Sequence, residues 1–185
     1  MKPRGNRKKK GSPVKKLVIL TAVLLGAAVP AEEPENGSLN LVKPISRGGW
    51  HIMGKQQPSE ADAPKGSVKF ASVHPAGAPA GFNRLIVGCP VKNLPAGKYL
   101  FSVRFRFSRE FAGKVSLFTL SGKKYAFGKE IPLTDYRPGQ WKTGMNLIVL
   151  PEDKGEIKFY FQAAGRVAPF TVELDSFRLV RQEED

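Results

Sequence analysis

Hydrophobic and polar residues alternate with a period of two through most of the chain after Leu39, and the pattern predicts strands. The longest run is Tyr99–Ser108. Tyr99, Phe101, Val103, Phe105 and Phe107 fall on one face, and Ser102, Arg104, Arg106 and Ser108 on the other, with Leu100 the one apolar exception. Side chains of a strand alternate between faces, so this run has one side in a core and one in water, whereas a helix would scatter the aromatics around its circumference. Ile157, Phe159, Phe161 and Ala163 oppose Lys158, Tyr160 and Gln162 in the same way, and Phe170, Val172 and Leu174 oppose Thr171, Glu173 and Asp175. There the phase slips, because Phe177 and Leu179 resume the apolar set three residues after Leu174. A bulge at Asp175-Ser176 would restore the face.

Weaker strands are predicted at Leu39–Val42, Trp50–Met53, Ser67–Val73, Arg84–Val91, Lys114–Leu120 and Met145–Leu150. Val115, Leu117, Phe118 and Leu120 are apolar in both phases, which predicts a strand covered on both sides. Turn signals separate the runs at Asn93–Gly97, Ser121-Gly122, Arg137-Pro138-Gly139 and Glu152–Gly155, and residues 54–66 and 74–83 read as loops rich in Pro, Ala and Gly. Roughly nine or ten short strands with turn signals every 8–12 residues indicate an all-β antiparallel sandwich of the jelly-roll type.

The first 31 residues follow a different rule. A basic head (Lys2, Arg4, Arg7, Lys8, Lys9, Lys10, Lys15, Lys16) leads into the uncharged run Leu17–Val29 and then Val29-Pro30-Ala31. A charged region, a short apolar region and small residues at a cleavage point make a secretory signal peptide, and the apolar run is short of the ~20 residues a bilayer crossing needs. The expectation is export to the periplasm, the cell surface or the medium. Residues 32–38 read as a tether, 39–181 as the sandwich and 182–185 as a charged tail.

This division changes the meaning of the charge. Of 30 Lys and Arg residues, eight precede residue 32, where there is no Asp or Glu. The remaining 154 residues therefore carry 22 basic and 16 acidic side chains, net +6, against +14 for the whole chain. That is too mild for a nucleic-acid-binding stripe. The single cysteine, Cys89, excludes an internal disulfide and reads as a small buried hydrophobe.

Several phrases occur in the order found in one family. Asn40-Leu41-Val42 is followed by Gly48-Gly49-Trp50, Gly66-Ser67-Val68-Lys69-Phe70, then Leu94-Pro95-Ala96-Gly97-Lys98-Tyr99 with its aromatic strand, Gln140-Trp141-Lys142, and Leu174-Asp175-Ser176-Phe177-Arg178-Leu179. In this the chain resembles the jelly-roll carbohydrate-binding modules of the family-4 and family-9 type, within the galactose-binding-like sandwiches, over about residues 39–181. The resemblance implies a monomeric, non-catalytic domain that binds an extracellular or cell-envelope carbohydrate. The alternative is a cell-envelope structural or protein-interaction module on the same fold. Members often hold a structural calcium between an acid in the first loop and the closing Asp. Here that loop reads Lys43–Arg47 without an acid, so Asp175 is the remaining candidate ligand.

The candidate sugar-binding residues are Trp50, Tyr160, Gln162, Arg104 and Arg106. Trp50 follows two glycines, which suits an exposed turn and equally a core position, while Trp141, at a strand start, is expected to pack inward. If the strands carrying Arg104, Arg106, Lys158, Tyr160 and Gln162 share a sheet, their outer faces form a basic surface with one aromatic, suited to an anionic glycan because Arg pairs bidentately with carboxylates and sulfates. The same residues also read as an ordinary solvated face. Tyr125 and Tyr136 either stack on a ligand or cap the sandwich. His51 and His74 lack metal-ligand spacing. Nothing in the sequence brings two of Glu110, Glu130, Glu152, Glu156 and Glu173 together as a catalytic pair.

Overall fold

The computed structural model describes residues 40–42 and 49–182, so the expected signal peptide and tether, the first loop Lys43–Arg47 and residues 183–185 lie outside the described residues. Ten strands form two five-stranded sheets: β1 (His51–Met53), β2 (Lys55–Gln57), β3 (Val68–Ala71), β4 (Phe82–Leu94), β5 (Gly97–Phe107), β6 (Lys114–Ser121), β7 (Lys124–Ile131), β8 (Lys142–Leu150), β9 (Lys154–Arg166) and β10 (Thr171–Gln182). The first sheet has the order β1-β4-β9-β6-β7 and the second β2-β3-β10-β5-β8. Every pairing is antiparallel.

The alternation explains the core. Tyr99, Phe101, Val103, Phe105 and Phe107 of β5 are fully buried and face Ile157, Phe159, Phe161 and Ala163 of β9. Rings meet across the sandwich, Phe101 on Phe159 at 5.3 Å and Phe105 on Phe161 at 5.2 Å between centroids. Tilted and edge-on arrangements of this kind suit the ring quadrupoles. The bulge falls where the phase slips: Leu174 pairs with Phe105 and Ser176 with Arg104, so Asp175 is the extra residue and both Leu174 and Phe177 stay inside.

Three local expectations change. Asn40–Val42 is not a strand; instead Asn40 clamps the chain to β10, its Oδ1 accepting from the amides of Leu179 and Val42 and its Nδ2 donating to the Phe177 carbonyl. β2 lies in a stretch that reads as loop, because Lys55-Gln56-Gln57 has no apolar residue to alternate. β7 follows the Ser121-Gly122 turn, where Ser121 pairs with Lys124 across a two-residue loop and Gly122 adopts φ 60°, a backbone hand that fits the twist of a hairpin.

Candidate functional site

One line of cross-strand partners crosses the whole first sheet: His51 on Gly88, Gly88 on Tyr160, Tyr160 on Phe118 and Phe118 on Gly128. These positions are in the outward phase of their strands. The two glycines make room for rings. A Cβ at Gly88 would lie 2.1 Å from Cδ1 of Tyr160, and one at Gly128 would lie 1.4 Å from Oη of Tyr125. Tyr160 and Tyr125 therefore occupy the space above the glycines.

The result is an aromatic row. Tyr160 and Phe118 stack at 5.0 Å with planes 14° apart, Phe118 and Tyr125 at 5.7 Å and 20°, and His51 meets Tyr160 edge-on at 5.8 Å. Exposure grades along the row, with Tyr160 only 7% exposed and Tyr125 64%. Burial pushes the Tyr160 hydroxyl above its ordinary pKa, so the ring stays neutral. A groove of about 350 Å³ opens beside Tyr160, lined also by Trp50, His51, Pro90 and Lys158. The next cross-strand line holds Ile86, Gln162 and Ser116. Apolar faces flanked by a few neutral hydrogen-bonding groups suit the C–H faces and hydroxyls of a sugar ring.

Of the residues singled out in the sequence, Trp50, Tyr160 and Gln162 thus come together on this face. Trp50 does both things its position suggested, packing edge-on against Phe177 at 4.7 Å while lining the groove. Phe118 overturns the expectation that β6 is covered on both sides. Its outward phase, Phe118 and Leu120, carries no further layer of chain among the described residues, and Phe118 joins the row. That second apolar phase was the signal for the site in the sequence. Tyr125 is part of the row, whereas Tyr136 caps the end of the sandwich, its hydroxyl accepting from the Phe107 amide.

Arg104 and Arg106 lie elsewhere. β5 belongs to the second sheet and β9 to the first, so these arginines do not share a surface with Tyr160 and Gln162. Both guanidinium groups are paired with carboxylates. Arg106, 7% exposed, donates through Nε to Glu173 at 2.9 Å and bidentately to Asp62 at 2.6 and 2.8 Å. Arg104 pairs with Asp175 at 2.6 Å. Trp141, expected inside, sits on this outer face with the guanidinium carbons of Arg106 and Arg104 at 4.8 and 5.0 Å from its ring. The reason is its phase: Trp141 continues the outward set Thr143, Met145 and Leu147 of β8.

The residues present do not fit a calcium at Asp175. One carboxylate oxygen takes Arg104 and the other Ser67 Oγ at 3.4 Å, so a cation there would face a guanidinium. Among the described residues no three His, Cys, Asp or Glu side chains cluster. Four of the five glutamates are likewise engaged with cations: Glu173 with Arg106, Glu130 with Lys114, Glu152 with Lys154 and Glu156 with Lys158. His74 bonds through Nδ1 to the Phe82 carbonyl. Cys89 is buried.

No protein-family model matches the sequence, and no curated protein matches it. Solved structures do match its fold. TmCBM61, solved in complex with β-1,4-galactotriose, is 20% identical, with 78% of this chain and 100% of that chain covered and a TM-score of 0.52. A family 16 carbohydrate-binding module is 12% identical over 77% of this chain and 100% of that chain, TM-score 0.53. A structure of carbohydrate-binding modules from the β-sandwich superfamily is 11% identical over 76% of this chain and 61% of that chain, TM-score 0.54. The fold is the jelly-roll sandwich of carbohydrate-binding modules.

Proposed function

We propose that this protein is an exported, non-catalytic carbohydrate-binding module whose first sheet receives a glycan on its outer face. The observation that carries this reading is the row Tyr160–Phe118–Tyr125 laid over Gly88 and Gly128, an aromatic surface over which the described residues place no second layer of chain. Its fold supports the same reading, as do the bound galactotriose of one structural neighbour and the signal-peptide pattern of residues 1–31. Beside the row Gln162 and Ser116 are neutral, Lys158 lies 3.9 Å from Glu156 and Glu130 pairs with Lys114, and on the other sheet Arg104 and Arg106 are held by carboxylates. A neutral polysaccharide therefore fits better than an anionic one.

Calorimetry or affinity electrophoresis against neutral and acidic polysaccharides tests this. Tyr125→Ala should weaken binding by about tenfold without moving the melting curve, since the ring is mostly in water. Arg104→Ala should leave affinity unchanged. A well-folded wild type that binds no polysaccharide would move the assignment to a protein-interaction module.

A further inference from the structure

A second pocket, of about 200 Å³, lies on the outer face of the second sheet, on the opposite side of the sandwich from the aromatic row. Its floor is one cross-strand line: Arg106 of β5 faces Glu173 of β10, and Glu173 faces Lys69 of β3. The connection between β2 and β3 passes over this line. Glu60 pairs with Lys69, the Glu60 amide donates to Glu173 at 3.0 Å, and Asp62 takes the end of the Arg106 guanidinium. The hydroxyls of Ser108 and Thr171 also line the pocket.

The two carboxylates on Arg106 differ in kind. Glu173 is 3% exposed and accepts from Nε, so it neutralises the guanidinium where water is scarce. Trp141 lies 4.8 Å from the guanidinium carbon and backs its face. These two contacts aim the fork of Nη1 and Nη2 whatever occupies it. Asp62 occupies it bidentately, yet its side chain is 74% exposed. The loop has anchors besides Asp62, because Ser59 donates to the Ser67 carbonyl and Glu60 is held by Lys69 and Glu173. The burial of Arg106 therefore needs Glu173 and not Asp62. Asp62 sits where the carboxylate of a ligand would sit.

We propose that this pocket is a second binding site, for the carboxylate of a uronic acid in a glycan, and that Asp62 holds that carboxylate's place on Arg106 until the ligand displaces it. With Asp62 turned out into water, Arg106 and Lys69 balance Glu173 and Glu60, so the floor is neutral and takes one carboxylate as it takes Asp62 now. No apolar side chain lines the pocket among the described residues, while Ser108 and Thr171 offer hydroxyls, which favours a sugar over a peptide side chain. As an internal competitor, Asp62 reduces the apparent affinity by the fraction of molecules in which the fork is open. The site stands on the second sheet alone and does not depend on the aromatic row.

Calorimetry with trigalacturonate tests this. Wild type should bind it weakly, and Asp62→Ala at least about tenfold more tightly, because the fork is then open. The same ligand should raise the melting midpoint of Asp62→Ala more than that of wild type. Glu152→Ala removes a similarly exposed charge that does not line the pocket and should leave the affinity unchanged. Equal gains in Asp62→Ala and Glu152→Ala, or no binding by either wild type or Asp62→Ala when both are folded, overturn the proposal. Triglutamate that binds Asp62→Ala as tightly as trigalacturonate does overturns the assignment to a sugar. Tyr125→Ala should weaken neutral polysaccharides and leave trigalacturonate unaffected, so failure here and failure of the carbohydrate reading are told apart.

Discussion

Arg106 and Glu173 face each other across β5 and β10, and both are out of water, 7% and 3% exposed. Their 2.9 Å contact puts an ion pair where the alternation of β5 suggests a solvated arginine. Removing one member leaves the other charge buried and uncompensated, which costs about 3–5 kcal/mol. Arg106→Ala should therefore destabilise as much as a core truncation such as Phe105→Ala. Arg104→Ala, two residues away with a side chain 41% exposed, should cost less than about 1 kcal/mol. Urea melts of the three variants check this ordering.

Acid should attack the same cluster. The Arg106 guanidinium, chiefly by its hydrogen bonds, holds the Asp62 carboxyl below its ordinary value of 3.8. The folded state therefore binds this proton less readily than the unfolded chain does. The stabilisation is complete above the ordinary aspartate range and is lost as pH falls through the depressed folded value. Asp62→Asn should flatten that part of the stability profile between about pH 5 and pH 2, and leave the slope near neutrality unchanged. Denaturant midpoints measured against pH would show an unchanged acid limb if Asp62 contributed nothing.

The two glycines under the aromatic row should respond differently to a methyl group. At Gly88 the added carbon meets a buried Tyr160 ring and, at 2.9 Å, the Phe159 carbonyl, neither of which can move far. Gly88→Ala should cost about 1–3 kcal/mol and weaken polysaccharide binding. At Gly128 the obstacle is the hydroxyl end of exposed Tyr125, which can swing away. Gly128→Ala should keep wild-type stability while changing affinity, and paired melting and calorimetric measurements separate the two effects.

Asn146 points into the sandwich from β8, and its buried Nδ2 has no hydrogen-bond partner among the described residues. An unmade bond at a buried amide costs about 1–3 kcal/mol. Asn146→Val, which replaces the amide with a β-branched apolar side chain suited to a strand, should raise stability by about 1 kcal/mol and shift the thermal midpoint upward. A lowered midpoint would mean that the amide has a partner the contacts do not reveal.

Much of this architecture can be read directly from the chain. The strands of β5, β9 and β10 carry their alternation openly, and even the displaced phase at Asp175-Ser176 marks its bulge. Edge strands are harder. β2 has no apolar face, and β7 turns Tyr125 and its lysines to water, so neither shows a period of two. The site is half-legible for the same reason. Tyr160 and Gln162 stand out as polar-phase residues of a strong strand, but which sheet β5 and β9 enter is a long-range matter that periodicity does not encode. Arg104 and Arg106 would stand beside Tyr160 only if β5 and β9 shared a sheet, and the topology separates them. Carboxylate partners such as Asp62, distant by 44 residues from Arg106, are invisible for the same reason.

The clamp made by Asn40 has an engineering consequence. It fastens the entry of the described domain to Leu179, three residues and so about 10 Å of strand before Gln182. Entry and exit therefore adjoin. A sandwich built this way tolerates being set into a loop of a host polypeptide, because neither connection has to travel around the molecule. It also lends itself to circular permutation, with a short bridge from Gln182 to Asn40 and new ends opened at Gly122-Lys123, where the hairpin loop lies in solvent.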